Sequence, residues 1–326
     1  MAPALFYPAA ALYAALVLPL SVFWMPQWHP REMLFGFALA VVAGNQLGAA
    51  PPRRAQLLFA LWLAARVAVL AFPSQALAAA ANGAFALALA AQVVPRPLRA
   101  AKKWRNRALP AIVAALCVAA AALQVRLAVL LFAALMLFMG GRVIAPMAAG
   151  QLERQGARLG PRVQPRLEGA LIAVMTASLV FHPLAALAGV LAAVRMARWR
   201  LWALRGRPDL LCLASGYAWL AAGLVAFGMA VALGGDVARA THLVTVGALG
   251  TLTFNVMALS WLRVRRRDPA REPLIAAGTM LIAAATLARV WLVHHAAAAL
   301  CWSAAFALLL AIFLRSRNER RHDEPR

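Results

Sequence analysis

The chain has 326 residues, of which 64% are apolar and only 13% charged, with a formal net charge of +23 and a mean hydropathy of +0.77. Burying so large an apolar fraction in water would leave too little polar surface to cover it, so a soluble domain is excluded and a lipid bilayer is the expected solvent. At about 20 residues per crossing, twelve crossings take roughly 240 residues and leave about 86 for loops and tails, which excludes an independently folded domain outside the membrane.

Apolar runs separated by charge or proline fall near residues 4–24, 32–50, 55–72, 75–94, 108–124, 127–147, 168–181, 183–199, 210–233, 241–262, 273–292 and 296–314. No basic residue lies between Met1 and Leu5, and the first run leads into further runs, so it reads as a retained span and not as a cleaved signal peptide. The seventh run is short, and the pair around His182-Pro183 reads equally as two spans or as one broken or re-entrant element. The expected fold class is all-α: a polytopic transmembrane helix bundle of about 12 spans. Residues 1–314 are expected to form a single integral-membrane helical domain, and 315–326 a charged cytoplasmic tail. Gly44-x-x-x-Gly48 and Gly140-Gly141 are candidate points of close helix contact. No inverted repeat with two matched broken helices is evident.

Basic residues set the orientation. The loops after runs two, four, six, eight and ten, with the C-terminal tail, hold 28 of the 33 Lys and Arg, counting Arg142 and Arg195 with their neighbouring loops. Both termini are therefore expected to face the cytoplasm, and the high pI is an address within the membrane and not a nucleic-acid signal. The run from Arg96 to Arg107 could also contact anionic lipid. Abundant alanine, with arginine far exceeding lysine, suggests a high-GC bacterial coding sequence and hence a bacterial cytoplasmic membrane. The three cysteines, Cys117, Cys212 and Cys301, have no metal-ligand spacing and read as inert packing residues.

Five of the six histidines map to the extracytoplasmic end of this topology: His29, His182, His242, His294 and His295. Charges inside spans are costly and usually face the bundle interior. Arg66 and Arg289 fall in the outer half, and Glu32 begins the second run on the same side. These residues make a candidate outer polar pocket. Neutral imidazole is a common ligand for copper, zinc and haem iron, and guanidinium groups pair with carboxylates such as haem propionates. Snorkelling arginine and solvated histidine are the plainer reading of the same residues. No phosphate-binding loop, dinucleotide-binding glycine fingerprint, nucleophile elbow, zinc-protease motif or paired-carboxylate site is present, so no catalytic constellation is visible.

The stretch from Trp28 to Phe37, Trp-His-Pro-Arg-Glu-Met-Leu-Phe-Gly-Phe, resembles the W-H-x-H-E-M-L-F-G-F signature of the NnrS family. Gly140-Gly-Arg-Val-Ile-Ala-Pro146 is similar to the family's G-R-V-I-P motif, with Ala145 as an extra residue. The segment Pro208 to Trp219 resembles P-L-x-x-x-L-H-x-x-Y-A-W, and His242 to Thr253 resembles H-x-x-x-x-G-A-x-G-T-M-T; Leu287-Ala-Arg-Val290 fits a late element. The resemblance implies a twelve-helix membrane protein containing haem and copper and linked to nitric oxide metabolism. Arg31 stands where the family has its second histidine, Ala214 replaces another, and a later one is replaced in Leu262-Arg-Val-Arg-Arg266. His29 and His242 are left as the implied haem or metal ligands, with Arg66, Arg142 and Arg289 in structural or propionate-pairing roles. Glu32, His182, His294 and His295 complete the outer pocket, and nitric oxide is the implied small ligand. A metal-free transporter or scaffold for a small solute is the alternative from a different class.

Overall fold

A computed structural model describes residues 2–48, 50–71, 75–157 and 164–323. Twelve principal helices follow one another and there is no strand among the described residues. They are α1 (Ala2–Trp24), α2 (residues 29–46), α3 (Pro52–Ala71), α4 (Gln75–Val93), α5 (Trp104–Ala121) and α6 (Val125–Arg154). There follow α7 (Pro165–Ala177), α8 (Leu184–Ala197), α9 (Pro208–Leu233), α10 (Val237–Val264), α11 (Pro273–Val290) and α12 (His295–Asp323). All twelve apolar runs coincide with a helix. A short helix, Pro95–Ala100, and two 3₁₀ turns, Leu201–Leu204 and Pro269–Arg271, fill connections. Arg158, Arg162 and Arg326 of the basic loops and tail lie outside the described residues.

Among the described residues, eight helices are long and apolar enough to cross a membrane: Ala2–Trp24, Pro52–Ala71, Ala76–Ala100 (α4 with the short helix after it), Val125–Arg154, Pro208–Leu233, Val237–Val264, Pro273–Val290 and His295–Ser316. The seventh and eighth runs form two separate helices of 13 and 14 residues, parted by a turn around His182. At 1.5 Å per residue each is about 20 Å long, against a hydrocarbon core of about 30 Å. Large apolar side chains point outward, as in a protein whose solvent is lipid. Leu12, Leu16 and Leu20 make an exposed stripe along α1, while Phe6, Ala10 and Tyr13 on the other face are buried.

The helices group into two compact units, Met1–Leu135 and Met136–Arg326, with the boundary inside α6. In the first, α1 packs on α2 and α3, and α4 on α3 and α5. In the second, α9 packs on α8 and α10, and α11 on α10 and α12.

Two helices change winding part-way. In α2 the stretch Glu32–Ala38 is π-helical, the Leu39 N–H reaching back to the Leu34 carbonyl, and in α10 the stretch Leu243–Gly250 is π-helical too. Such widened turns are rare and concentrate at functional sites. Each begins within one turn of a signature histidine, His29 or His242.

The glycine candidates resolve differently. Gly44 lets α2 approach α1, since a Cβ there would stand 2.6 Å from the Tyr7 ring, whereas Gly48 has a φ of +41° and serves the turn after α2. Gly140 lies against the Tyr217 ring and Gly141 against the Arg195 guanidinium.

Candidate functional site

The first unit encloses a polar cluster drawn from four consecutive helices. Tyr13 comes from α1, Glu32 from the π-helical turn of α2, Arg66 from α3 and Asn82 from α4, and each is at most 6% exposed. One Glu32 carboxylate oxygen, Oε2, accepts from both the Tyr13 hydroxyl and Arg66 Nη1. Arg66 Nη2 donates to Asn82 Oδ1, and Asn82 Nδ2 donates to the Ala78 carbonyl at 2.8 Å. The widened backbone takes part: Trp62 Nε1 donates to the Gly36 carbonyl at 2.8 Å. Any Cβ at position 36 would stand 2.7 Å from both Arg66 Nη1 and Glu32 Oε2, so only glycine lets the ion pair close here. Glu32 Oε1 and Arg66 Nε have no hydrogen-bond partner among the described residues. Burial at a charge pair of this kind is favourable only while both partners remain, because either one alone is an uncompensated buried charge.

His29 opens α2 one turn before Glu32 and is half-buried. Its Nδ1 lies 3.0 Å from Ser21 Oγ, and that hydroxyl already donates its single proton to the Leu18 carbonyl at 2.7 Å. With the serine proton on the Leu18 carbonyl, Ser21 Oγ acts as acceptor, and a neutral imidazole then carries its proton on Nδ1 and its lone pair on Nε2. His242 reaches the same state by a simpler route, its Nδ1 lying 2.6 Å from the Ala238 carbonyl, a pure acceptor. In His294 the relation is reversed. The Ala297 N–H donates to His294 Nδ1 at 3.1 Å, so a neutral ring there carries its proton on Nε2.

The other expected residues are distributed along the second unit. His182, in the turn between α7 and α8, meets Phe227 edge-on with ring centroids 6.4 Å apart. His294 and His295 are exposed at the start of α12, and Arg289 is half-buried at the end of α11. Arg142 is exposed, lies over the Phe138 ring at 4.2 Å and bonds the buried Glu168 carboxylate at 3.3 Å. His29, Glu32 and Arg66 thus share one unit, and His242, Arg289, His294 and His295 the other. Among the described residues no group of three or more His, Cys, Asp or Glu side chains stands close enough to hold a metal ion.

Several polar residues were not singled out from the sequence. Tyr13 and Asn82 complete the first cluster, and Asn82 was detectable as a lone amide in an alanine-rich span. Arg195, expected among cytoplasmic loop charges, is instead buried inside α8, where Nη1 donates to the Leu137 carbonyl at 3.0 Å. At the start of α9, Arg207 grips the buried Asp209 through two bonds, Nε to Oδ1 at 2.9 Å and Nη2 to Oδ2 at 2.8 Å. The Asp209 carboxylate raises the Arg207 guanidinium above its ordinary value, outweighing desolvation.

A model of the NnrS protein family matches residues 4–317, nearly the whole chain. The chain belongs to the NnrS family. No curated protein matches it. The NnrS stretches fall on the structural features just described. The first signature spans His29 and the π-helical Glu32–Ala38, the second contributes Gly140 and Gly141, and the His242 motif covers the second π-helical stretch.

Proposed function

We propose that this NnrS-family protein is a multi-pass protein of a bacterial cytoplasmic membrane that serves in the response to, or tolerance of, nitric oxide, and that it binds haem through an imidazole at the extracytoplasmic ends of its helices. Both termini are then cytoplasmic, α7 and α8 complete the twelve membrane-embedded helices, and the tail from residue 315 lies in the cytoplasm. The observation that carries the reading is the proton placement on His29 and His242. Each has its Nδ1 within hydrogen-bonding distance of an oxygen, Ser21 Oγ or the Ala238 carbonyl, which sets the ring orientation and favours the tautomer whose lone pair is on Nε2.

Haem iron needs only one axial imidazole, so the residues present fit that group. When bound, haem would supply an iron centre that takes a diatomic gas as ligand. Copper wants several strong ligands together, and the donor set among the described residues does not fit it. The chain's own contribution is orientation and charge: Ser21 fixes the His29 ring, and Arg289 and Arg142 offer guanidinium groups to carboxylates. Arg66 pairs with the Glu32 carboxylate, one turn past His29.

The test is the ultraviolet-visible spectrum of detergent-purified protein from cells grown with ample haem, oxidised, reduced and exposed to nitric oxide. A Soret band that shifts with the gas and is lost in His29→Ala/His242→Ala, with membrane insertion intact, is the expected result. An unchanged band in that variant would sink the ligand assignment. The buried Glu32–Arg66 pair supports a second reading, a metal-free transporter or scaffold, because ionisable groups inside a membrane commonly line solute paths. A bare protein spectrum together with solute flux in proteoliposomes would favour it.

A further inference from the structure

The two units carry the same four-helix element in the same sequence order, α1 to α4 and α9 to α12. In each, the second helix turns π-helical within one turn of a histidine, His29 or His242. In each, the third helix bears Ala-Arg-Val near its end, Ala65-Arg66-Val67 in one and Ala288-Arg289-Val290 in the other. The fourth helices share Ala-Phe-Ala-Leu-x-Leu-Ala, at residues 84–90 and 305–311, and Phe85 and Phe306 are both fully buried. The packing agrees with the motifs. Gly36 of the first π-helical stretch is crowded by an aromatic ring from the helix before it, Tyr13, and a side chain from the helix after it, Arg66. Gly247 of the second, five residues past His242 where Gly36 stands seven past His29, is likewise crowded from the helices before and after it, by Trp219 and by Thr286, three residues before Arg289.

Arg289 is therefore the counterpart of Arg66, and the difference between their surroundings is chemical. Three residues past His29 stands Glu32, whose carboxylate neutralises Arg66. Three residues past His242 stands Thr245, which has no charge to offer and whose hydroxyl donates to the Thr241 carbonyl at 3.1 Å. Arg289 makes no ion pair among the described residues. The nearby acid that acts on it, Asp236, is already bonded to Arg239 Nε at 2.9 Å and caps α10 by accepting from the Arg239 N–H at 3.0 Å. The first unit fills its arginine internally; the second leaves the equivalent arginine half-exposed, its nearby acid shared with Arg239.

We propose that Arg289, with the first turns of α10, is a binding site for an exogenous oxyanion, a carboxylate or a phosphate group, which takes the place on Arg289 that the Glu32 carboxylate takes on Arg66. The proposal rests on the reading above for placing this end of the helices outside the cytoplasm, and it needs no haem. The planar guanidinium suits either anion through paired N–H donors. A free carboxylate or phosphate and a lipid headgroup phosphate present the same chemistry.

The test uses the full-length chain and moves the internal carboxylate into the second unit. Thermal unfolding of wild type, Arg289→Gln, Arg289→Lys, Thr245→Glu and Thr245→Glu/Arg289→Gln is followed in detergent against acetate and inorganic phosphate at constant ionic strength. The same series is measured in nanodiscs of phosphatidylglycerol or phosphatidylcholine. The wild-type midpoint should rise saturably with acetate or phosphate when the source is soluble. When the source is lipid, it should rise in phosphatidylglycerol relative to phosphatidylcholine. Arg289→Gln should weaken that response at least about tenfold, the loss expected for one charge-assisted bond, with Arg289→Lys intermediate. Thr245→Glu should raise the ligand-free midpoint and abolish the response only while Arg289 is present. Equal responses in wild type and Arg289→Gln, or a Thr245→Glu effect that ignores residue 289, would overturn the proposal. Either result leaves the haem spectrum to judge the haem reading separately, since that spectrum is read without added anion.

Discussion

The guanidinium of Arg195 occupies the space that a side chain at position 141 would need, so Gly141 and Arg195 are complementary parts of one contact between α6 and α8. Its neighbour Gly140 does the same for the Tyr217 ring, which also lies against Trp199 with centroids 4.8 Å apart. The two glycines thus admit a buried cation and a buried aromatic ring side by side into the second unit. Gly141→Ala should cost about 1–3 kcal/mol through overpacking, and Gly140→Ala a similar amount. Thermal unfolding in detergent checks this. If the Gly141→Ala loss is unchanged when Arg195 is shortened to alanine, the contact is not its cause.

The Glu32–Arg66 pair should behave as a coupled unit. Glu32→Gln or Arg66→Gln alone leaves a buried charge or its donors uncompensated and should destabilise by about 3–5 kcal/mol. The double variant should lose less than the sum of the two, by a coupling of roughly 0.5–3 kcal/mol. A double-mutant cycle on unfolding midpoints reads this directly, and strict additivity would contradict the paired geometry.

Arg207→Gln should destabilise the second unit by leaving the buried Asp209 carboxylate without its two-bonded partner, at about 3–5 kcal/mol for breaking a buried pair, less the solvation that partial exposure of Arg207 provides. The sign of any pH effect is set by the raised guanidinium pKa. A group whose folded-state value is raised contributes fully below its unfolded value, and here that covers the whole range from acid to mildly alkaline solution. The penalty for Arg207→Gln should therefore be flat with pH above the carboxylate range. A penalty that vanishes near neutrality would contradict the pairing.

Proton placement separates the histidines. Ser21→Ala removes the acceptor that fixes His29, and loss of such a supporting contact typically weakens ligation 10- to 100-fold, so haem retention at His29 should fall by about that factor. His294→Ala should leave the haem spectrum unchanged, because its Nδ1 is engaged by the Ala297 N–H. A titration of purified apoprotein with haemin compares the two. Loss of binding in His294→Ala and not in Ser21→Ala would invert the assignment.

Hydropathy located the twelve principal helices because each is a run of lipid-compatible residues bounded by charge or proline, and these boundaries are covalent facts; the short helix Pro95–Ala100, in a basic connection, was not located. The turn at Ser178 to Pro183 divides α7 from α8 where His182-Pro183 interrupts the run. The π-helical turns were not legible, since Glu32–Ala38 and Leu243–Gly250 contain the same residue types as ordinary α-helix. Their widening comes from packing around Gly36 and Gly247. Positive-inside counting assigned Arg195 to a loop because it counts charge by position in the chain, and only the tertiary fold reveals the glycine pair that receives it. Glu32 and Arg66 were legible as membrane charges. That Arg66 also meets Asn82, 16 residues on, depends on how α3 and α4 pack.

Whether an imidazole Nε2 of this chain ligates haem iron is read out by the electron paramagnetic resonance spectrum of the reduced, haem-loaded protein with nitric oxide. Additional nitrogen splitting from a coordinating imidazole is expected in the wild type, unchanged in His294→Ala and lost in His29→Ala/His242→Ala. A nitrosyl spectrum without that splitting in the wild type, or one that survives in the double variant, would contradict that ligation.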